Sequence, residues 1–108
     1  MKIVITGGCG YIGTCLTNEL LAKGFEIIVI DNQWFGNHLK SHKNLKIIKK
    51  DIRDINSINL KNIYAIIHLA NIANDPGVEL NQNLSWDVNV LATRHLMEKA
   101  KKIKLKKF

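Results

Sequence analysis

A chain of 108 residues has room for one modest hydrophobic core and none for a separate substrate domain. Its 46% hydrophobic and 23% charged residues, with one proline and seven glycines, exclude a disordered or fibrous chain. The net charge of +7 is concentrated at one end, where residues 98 to 108 hold six lysines against Glu98. The remaining ten Lys/Arg face eight Asp/Glu, so the body is nearly balanced. The lysine run therefore reads as a solvated helix end, and a nucleic-acid partner is not expected.

Cys9 and Cys15 are too few and too close for a disulfide framework, and His38, His42, His68 and His95 form no metal-ligand spacing with them. A reducing cytoplasm is the expectation. The opening Met1 to Thr6 is too short an apolar run for a signal peptide or a membrane span, and no membrane partner is expected.

Ile3 to Thr6 is a β-branched run closed by Gly7-Gly8 and predicts a buried parallel strand. From Tyr11 to Lys23, Ile12, Leu16, Leu20 and Leu21 recur at helical spacing, and Gly24 stands where a helix stop belongs. Phe25 to Ile30 predicts a second buried strand ending at Asp31. Asn32 to Asn44 reads as a loop with room for a short helix, and Leu45 to Ile48 as a third strand running into Lys49, Lys50 and Asp51. Ile55, Ile58 and Leu60 suit a short helix, and Ala65 to Ala70 a fourth strand. Leu84, Val88, Leu91, Ala92, Leu96, Ala100 and Ile103 keep to one side of an amphipathic helix of about five turns or more. Trp34, Trp86 and Met97 are expected to be packing residues.

Strands alternating with helices imply an α/β fold: a Rossmann-type, doubly wound parallel sheet, here incomplete with about four strands. The expected strand order is third, second, first, fourth, with ligands beyond the carboxyl ends where the order reverses.

The loop after the first strand, Thr6-Gly7-Gly8-Cys9-Gly10-Tyr11-Ile12-Gly13, fits both Gly8-x-Gly10-x-x-Gly13 and Gly7-x-x-Gly10-x-x-Gly13. Glycines there permit a tight turn, backbone approach to a pyrophosphate and close helix packing. The helix opening near Tyr11 aims free amides and the positive end of its dipole at the phosphates. Asp31, ending the next strand, can accept hydrogen bonds from both adenosine ribose hydroxyls and would repel a 2′-phosphate, which favours NAD over NADP. A ligand-free glycine turn with a strand-end aspartate is the bland alternative.

Together with Asp31-Asn32, Asp51-Ile52-Arg53-Asp54, His68-Leu69-Ala70 and Asn89-Val90-x-x-Thr93, this loop resembles the extended short-chain dehydrogenase/reductases. Within them it is most similar to the NAD-dependent nucleotide-sugar epimerases and dehydratases, with the resemblance covering essentially the whole chain. It implies that Tyr11 and Ile12 meet the pyrophosphate through their backbone, Asp31 and Asn32 the adenosine ribose, and Asp51 and Ile52 the adenine edge. Capping of the following segment, or a surface charge cluster around Arg53, accounts for Asp51 equally well. Leu69, Ala70, Asn71, Ile72 and Ala73 would run beneath the ribose and nicotinamide, with Asn71 standing where many relatives have alanine. Asn89, a poor helix former inside a helical stretch, would stand near the nicotinamide. His68, closing a buried strand, suits a satisfied structural histidine better than a catalyst. Cys9 at a helix start is either an activated thiol or, the stronger reading, a small filler.

Family chemistry resembles hydride transfer from a sugar hydroxyl to NAD, served by a Tyr-x-x-x-Lys pair and a serine or threonine. Tyr11 and Tyr64 are followed four residues on by Cys15 and His68, so neither forms that pair. The expectation is therefore residues 1 to 108 as the N-terminal part of an NAD-binding Rossmann domain, inactive alone, with the later strands and the substrate domain absent. The full-length enzyme would take a nucleotide sugar and leave room for a homodimer. A non-enzymatic dinucleotide-binding or interaction module is the alternative.

Overall fold

In a computed structural model of the chain, residues 1–33, 37, 39–57, 60, 62–70, 91–102 and 108 are described. Strands β1 (Lys2–Thr6), β2 (Glu26–Asp31), β3 (Leu45–Lys49) and β4 (Ala65–His68) form one parallel sheet in the order β3-β2-β1-β4. Helix α1 (Tyr11–Ala22) joins β1 to β2, and helix α2 (Ala92–Lys102) follows β4. The order reverses between β1 and β4, and in open sheets of this type that reversal marks a ligand crevice at the carboxyl edge.

Side chains of a strand alternate between faces, and β1 shows what that does here. Ile3 and Ile5 join Cys9, Leu21, Ile27, Val29 and Ala65 in a core on the α1 side. Val4 joins Ile30, Ile52, Leu60, Ile66, Leu96 and Ala100 on the α2 side. Both faces are covered, which is why these strands read as unbroken apolar runs.

The buried stripe of α1 is Gly13, Thr17 and Leu21 at four-residue steps, with Leu16 and Leu20 packed beside it. Ile12, expected on that face, is instead 68% exposed. Ile12 lies in the first turn, about 100° around the helix from Gly13 and so off the stripe that meets the sheet. The helix closes as a Schellman motif: Gly24, at φ +87°, donates its N–H to Leu21 O at 3.0 Å, and Phe25 to Leu20 O at 3.2 Å.

Thr17 is fully buried, and its Oγ1 has no hydrogen-bond partner among the described residues. An unmatched buried hydroxyl costs roughly 1–3 kcal/mol, while valine has nearly the same shape and helix propensity. Thr17→Val is therefore expected to raise the thermal midpoint by about 4–8 °C for each kcal/mol regained. A lowered midpoint in a melt followed by circular dichroism would mean that the hydroxyl is bonded after all.

Two other expectations need adjusting. The segment after β3 is a 3-10 helix over Ile52–Ser57, earlier than the apolar spacing predicts, because Asp51 starts it by capping. Met97 is 54% exposed: it sits one residue past the fully buried Leu96, about 100° around the helix and off the face that meets the sheet. The described part of the last helix starts at Ala92, and Leu84, Val88, Trp86 and Trp34 lie outside the described residues. No described helix is long and apolar enough to cross a membrane.

Candidate functional site

The turn after β1 is shaped by two close approaches. Gly7 has φ +73°, and a Cβ there would lie 2.8 Å from Ala70 N and 2.9 Å from Leu69 C. Only glycine lets the loop after β4 lie directly against the turn at this φ. A Cβ on Gly13 would fall on Gly7 O and lie 2.6 Å from Gly8 Cα, so α1 seats itself on the turn through that position. Gly10 differs: its φ of −71° suits any residue, and among the described residues a Cβ would meet only Gly7 O, at 3.4 Å, an ordinary contact. Of the two glycine spacings, the one through Gly7 carries the turn's left-handed residue, and no described residue crowds Gly10.

Gly10 caps α1 without a side-chain hydrogen bond, and the first turn holds no acidic residue. The amides at Tyr11 and Ile12 thus belong to a helix start with no side-chain cap among the described residues, at the positive end of the helix dipole. The Tyr11 side chain is 88% exposed.

Asp31 reaches back to this turn. Its Oδ2 accepts the Cys9 N–H at 3.0 Å and its Oδ1 the Gln33 N–H at 2.6 Å. A carboxylate offers about four acceptor positions, so one bond per oxygen leaves each oxygen able to accept another. The same arrangement settles Cys9. Its side chain packs in the α1-side core, and burial together with the Asp31 charge pushes the thiol up to about 11. It is a filler, and the activated-thiol alternative fails because burial outweighs the helix start. Both cysteines are free.

Asp51 caps and pairs at once: Oδ1 accepts the Arg53 N–H at 2.9 Å, and Oδ2 accepts from Arg53 Nε at 3.0 Å and Nη2 at 2.5 Å. These side-chain hydrogen bonds hold its carboxyl below the usual carboxylate range. Both bland readings of Asp51 are thus present. Ile52 turns its side chain into the α2-side core, leaving only its backbone for the crevice. Asn32 is half-buried just beyond Asp31.

At the reversal point stands a group that sequence reasoning passed over. Thr6 is fully buried at the end of β1, and its Oγ1 accepts from Leu69 N–H at 3.1 Å and Ala70 N–H at 3.2 Å. It also lies 2.6 Å from His68 Nδ1, while His68 Nε2 lies 2.7 Å from Thr93 Oγ1 on α2. A polar residue ending an otherwise apolar strand is the signal that could have found it. His68 is the satisfied structural histidine that its position suggests.

Burial lowers the His68 pKa from its ordinary 6.5, so the folded chain binds a proton less readily than the unfolded one. The His68 contribution to stability is complete above about pH 6.5 and is lost as pH falls towards the lowered folded value, by at most about 1.4 kcal/mol per pH unit. Urea titrations from pH 7.5 to 5 should show this slope in the wild type and a shallower one in His68→Gln. Equal slopes would mean that His68 titrates alike in both states.

Gly7, Gly10, Tyr11, Ile12, Gly13, Asp31, Asn32, Asp51, Leu69 and Ala70 all stand at the carboxyl edge of the sheet, on loops after four neighbouring strands or at the start of α1. Asn71, Ile72 and Asn89 lie outside the described residues. An open depression of 450 Å³ lies at the opposite edge, but its charged residues Lys2, Glu26, Lys43 and Lys46 are exposed or half-buried and converge on nothing. No group of three metal-ligating side chains occurs among the described residues.

Residues 3–108 match the NAD dependent epimerase/dehydratase family. The chain belongs to that family. Among family relatives, UDP-glucuronic acid decarboxylase 1 of Danio rerio is 32% identical over 107 residues, covering 94% of this chain and 25% of that protein. The structure of UDP-glucose 4-epimerase with UDP-glucose from Thermotoga maritima superposes with a TM-score of 0.86 at 28% identity, over 100% of this chain and 36% of the other. The UDP-glucose 4-epimerase complex with NAD from Thermus thermophilus superposes with a TM-score of 0.81 at 25% identity, over 97% and 35%. The chain thus spans a quarter to about a third of the length of the epimerase/dehydratase proteins that it matches.

Proposed function

We propose that residues 1–108 are the NAD-binding portion of a nucleotide-sugar epimerase or dehydratase, able to hold the adenosine and pyrophosphate half of the cofactor but not to turn over substrate alone. The observation that carries this reading is the Asp31 carboxylate, tied to the glycine turn through the Cys9 amide with acceptor capacity remaining on both oxygens. A ribose with two free hydroxyls matches that capacity, and a 2′-phosphate would meet an anion.

The pyrophosphate would lie over the open side of Gly10, on the amides of Tyr11 and Ile12, where the helix dipole favours negative charge. Gly7, Gly13, Asn32, Asp51 and Ile52 would shape the adenosine end. Leu69 and Ala70, with Asn71, Ile72 and Asn89, would lie along the ribose and nicotinamide. When bound, NAD supplies the hydride acceptor for oxidation of a sugar hydroxyl. This chain's part is to bind and orient it, since Tyr11 and Tyr64 lack the paired lysine that would acidify a proton-accepting phenol.

Titration with NADH, followed by nicotinamide fluorescence, is expected to saturate below about 1 mM, with NADPH binding at least tenfold more weakly. Gly10→Ala sharpens the test. Its backbone conformation tolerates alanine, so stability should hold or rise by up to about 1 kcal/mol. The new methyl would occupy the pyrophosphate's approach and reduce NADH affinity at least tenfold. A chain that binds NADH equally well with alanine at position 10 would refute this placement, and no saturable binding by the wild type would refute the reading.

A further inference from the structure

Thr6, His68 and Thr93 come from β1, the end of β4 and the start of the described part of α2, and their hydrogen bonds form one chain whose direction the Thr6 contacts favour. A hydroxyl has one proton and two acceptor positions. Thr6 Oγ1 accepts from the Ala70 amide and shares the Leu69 N–H, at 3.1 Å, with Thr6 O, at 2.9 Å; with both amides turned towards it, its own proton is directed to His68 Nδ1. The neutral imidazole then carries its proton on Nε2 and donates it to Thr93 Oγ1. A protonated ring would set an Nδ1–H against a hydroxyl that already accepts twice.

From this chain of bonds we infer that Thr93 is a positioning residue for the cofactor crevice: through His68 and Thr6, the described start of α2 holds the Leu69–Ala70 backbone against Gly7. The inference rests on the NAD reading for its functional meaning, since Leu69 and Ala70 are the loop proposed to lie beneath the cofactor. The mechanical link stands on the hydrogen bonds themselves. The close fit makes the link consequential, because Ala70 N would lie 2.8 Å from a Cβ at Gly7. A small displacement of Leu69–Ala70 therefore reshapes the floor of the crevice. The surroundings of the ring among the described residues are neutral: Thr6, Thr93, and the Phe108 ring tilted 45° with its centroid 6.4 Å away.

The test compares Thr93→Val, which keeps the shape and loses the hydroxyl, with Thr93→Ser, which keeps the hydroxyl and loses a methyl. In the wild type, nitrogen-15 spectra of the His68 ring should show Nδ1 bare and Nε2 protonated; the opposite tautomer overturns the inference. Amide exchange at Leu69 and Ala70 should accelerate about tenfold in Thr93→Val, the equivalent of one lost buried hydrogen bond, and stay within about twofold of wild type in Thr93→Ser. Unchanged exchange in the valine variant, or serine behaving like valine, overturns it. Should Thr93→Val fail to fold, the wild-type tautomer and the serine variant decide. NADH titration of the same proteins separates the two proposals. Weakened binding in valine with rescue by serine supports both. Fast exchange with NADH affinity unchanged sinks the functional meaning, and a wild type that binds no NADH overturns the cofactor reading but not the mechanical link.

Discussion

Asp31→Ala is expected to abolish measurable NADH binding, lowering affinity by two to three orders of magnitude. Two hydrogen bonds to a charged acceptor, at about 1.5–3 kcal/mol each, would be lost. The same change strips the Cys9 and Gln33 amides of their acceptor, so the turn loosens as well as losing its ribose contact. Asp31→Asn separates charge from geometry. Its one carbonyl oxygen still accepts, so NADH binding should fall less, while removal of the negative charge should bring NADPH affinity to within a few fold of NADH. Parallel NADH and NADPH titrations of the three proteins read both effects. Strong NADPH rejection by the asparagine variant would show that something other than the Asp31 charge selects the cofactor.

Gly13→Ala should be the most damaging single methyl in the chain. Helix propensity alone favours alanine by about 1 kcal/mol, so a solvent-facing Gly13 would make the change stabilising. Here the Cβ would fall on Gly7 O and lie 2.6 Å from Gly8 Cα and 2.9 Å from Gly8 C, all of it backbone that cannot rotate away. Overpacking of this kind costs about 1–3 kcal/mol or more and would outweigh the propensity gain. A net loss of about 2 kcal/mol corresponds to a fall of roughly 8–16 °C in thermal midpoint, with cofactor affinity falling as α1 lifts from the turn. The contrast with Gly10→Ala makes this diagnostic, since Gly10 is the extended cap with room for a methyl among the described residues and Gly13 is a helical residue seated on backbone. A midpoint unchanged in Gly13→Ala would mean that α1 has slack against the turn.

Family membership has a defined reach for this protein. It shows the family and the fold, and the chain covers 25% to 36% of the matched proteins' lengths. Catalysis in such proteins, by the family resemblance, asks for a tyrosine and lysine pair that the two tyrosines here do not form. A nucleotide sugar and a homodimer therefore belong to the proposal for the full-length enzyme.

The architecture was written locally. Apolar runs of four to six residues punctuated by Gly7, Gly24 and Asp31 specify strands and helix ends through steric and hydrogen-bonding rules acting over a few residues. The strand order follows from the handedness of the crossovers. The glycine turn and Asp31 were legible for the same reason, as a spacing that places them at adjacent strand ends. What no local rule contains is which partner each polar group finds after the sheet closes. Asp31 bonding the Cys9 amide, 22 residues away, is such a case; so is Thr6 bonding His68, 62 residues away. So is the difference between Gly7, at positive φ with the Ala70 backbone where a Cβ would stand, and Gly10, which no described residue crowds. In the sequence these residues differ only in type and spacing; in the folded chain, long-range packing decides which atoms are spent on the fold and which remain available to a ligand.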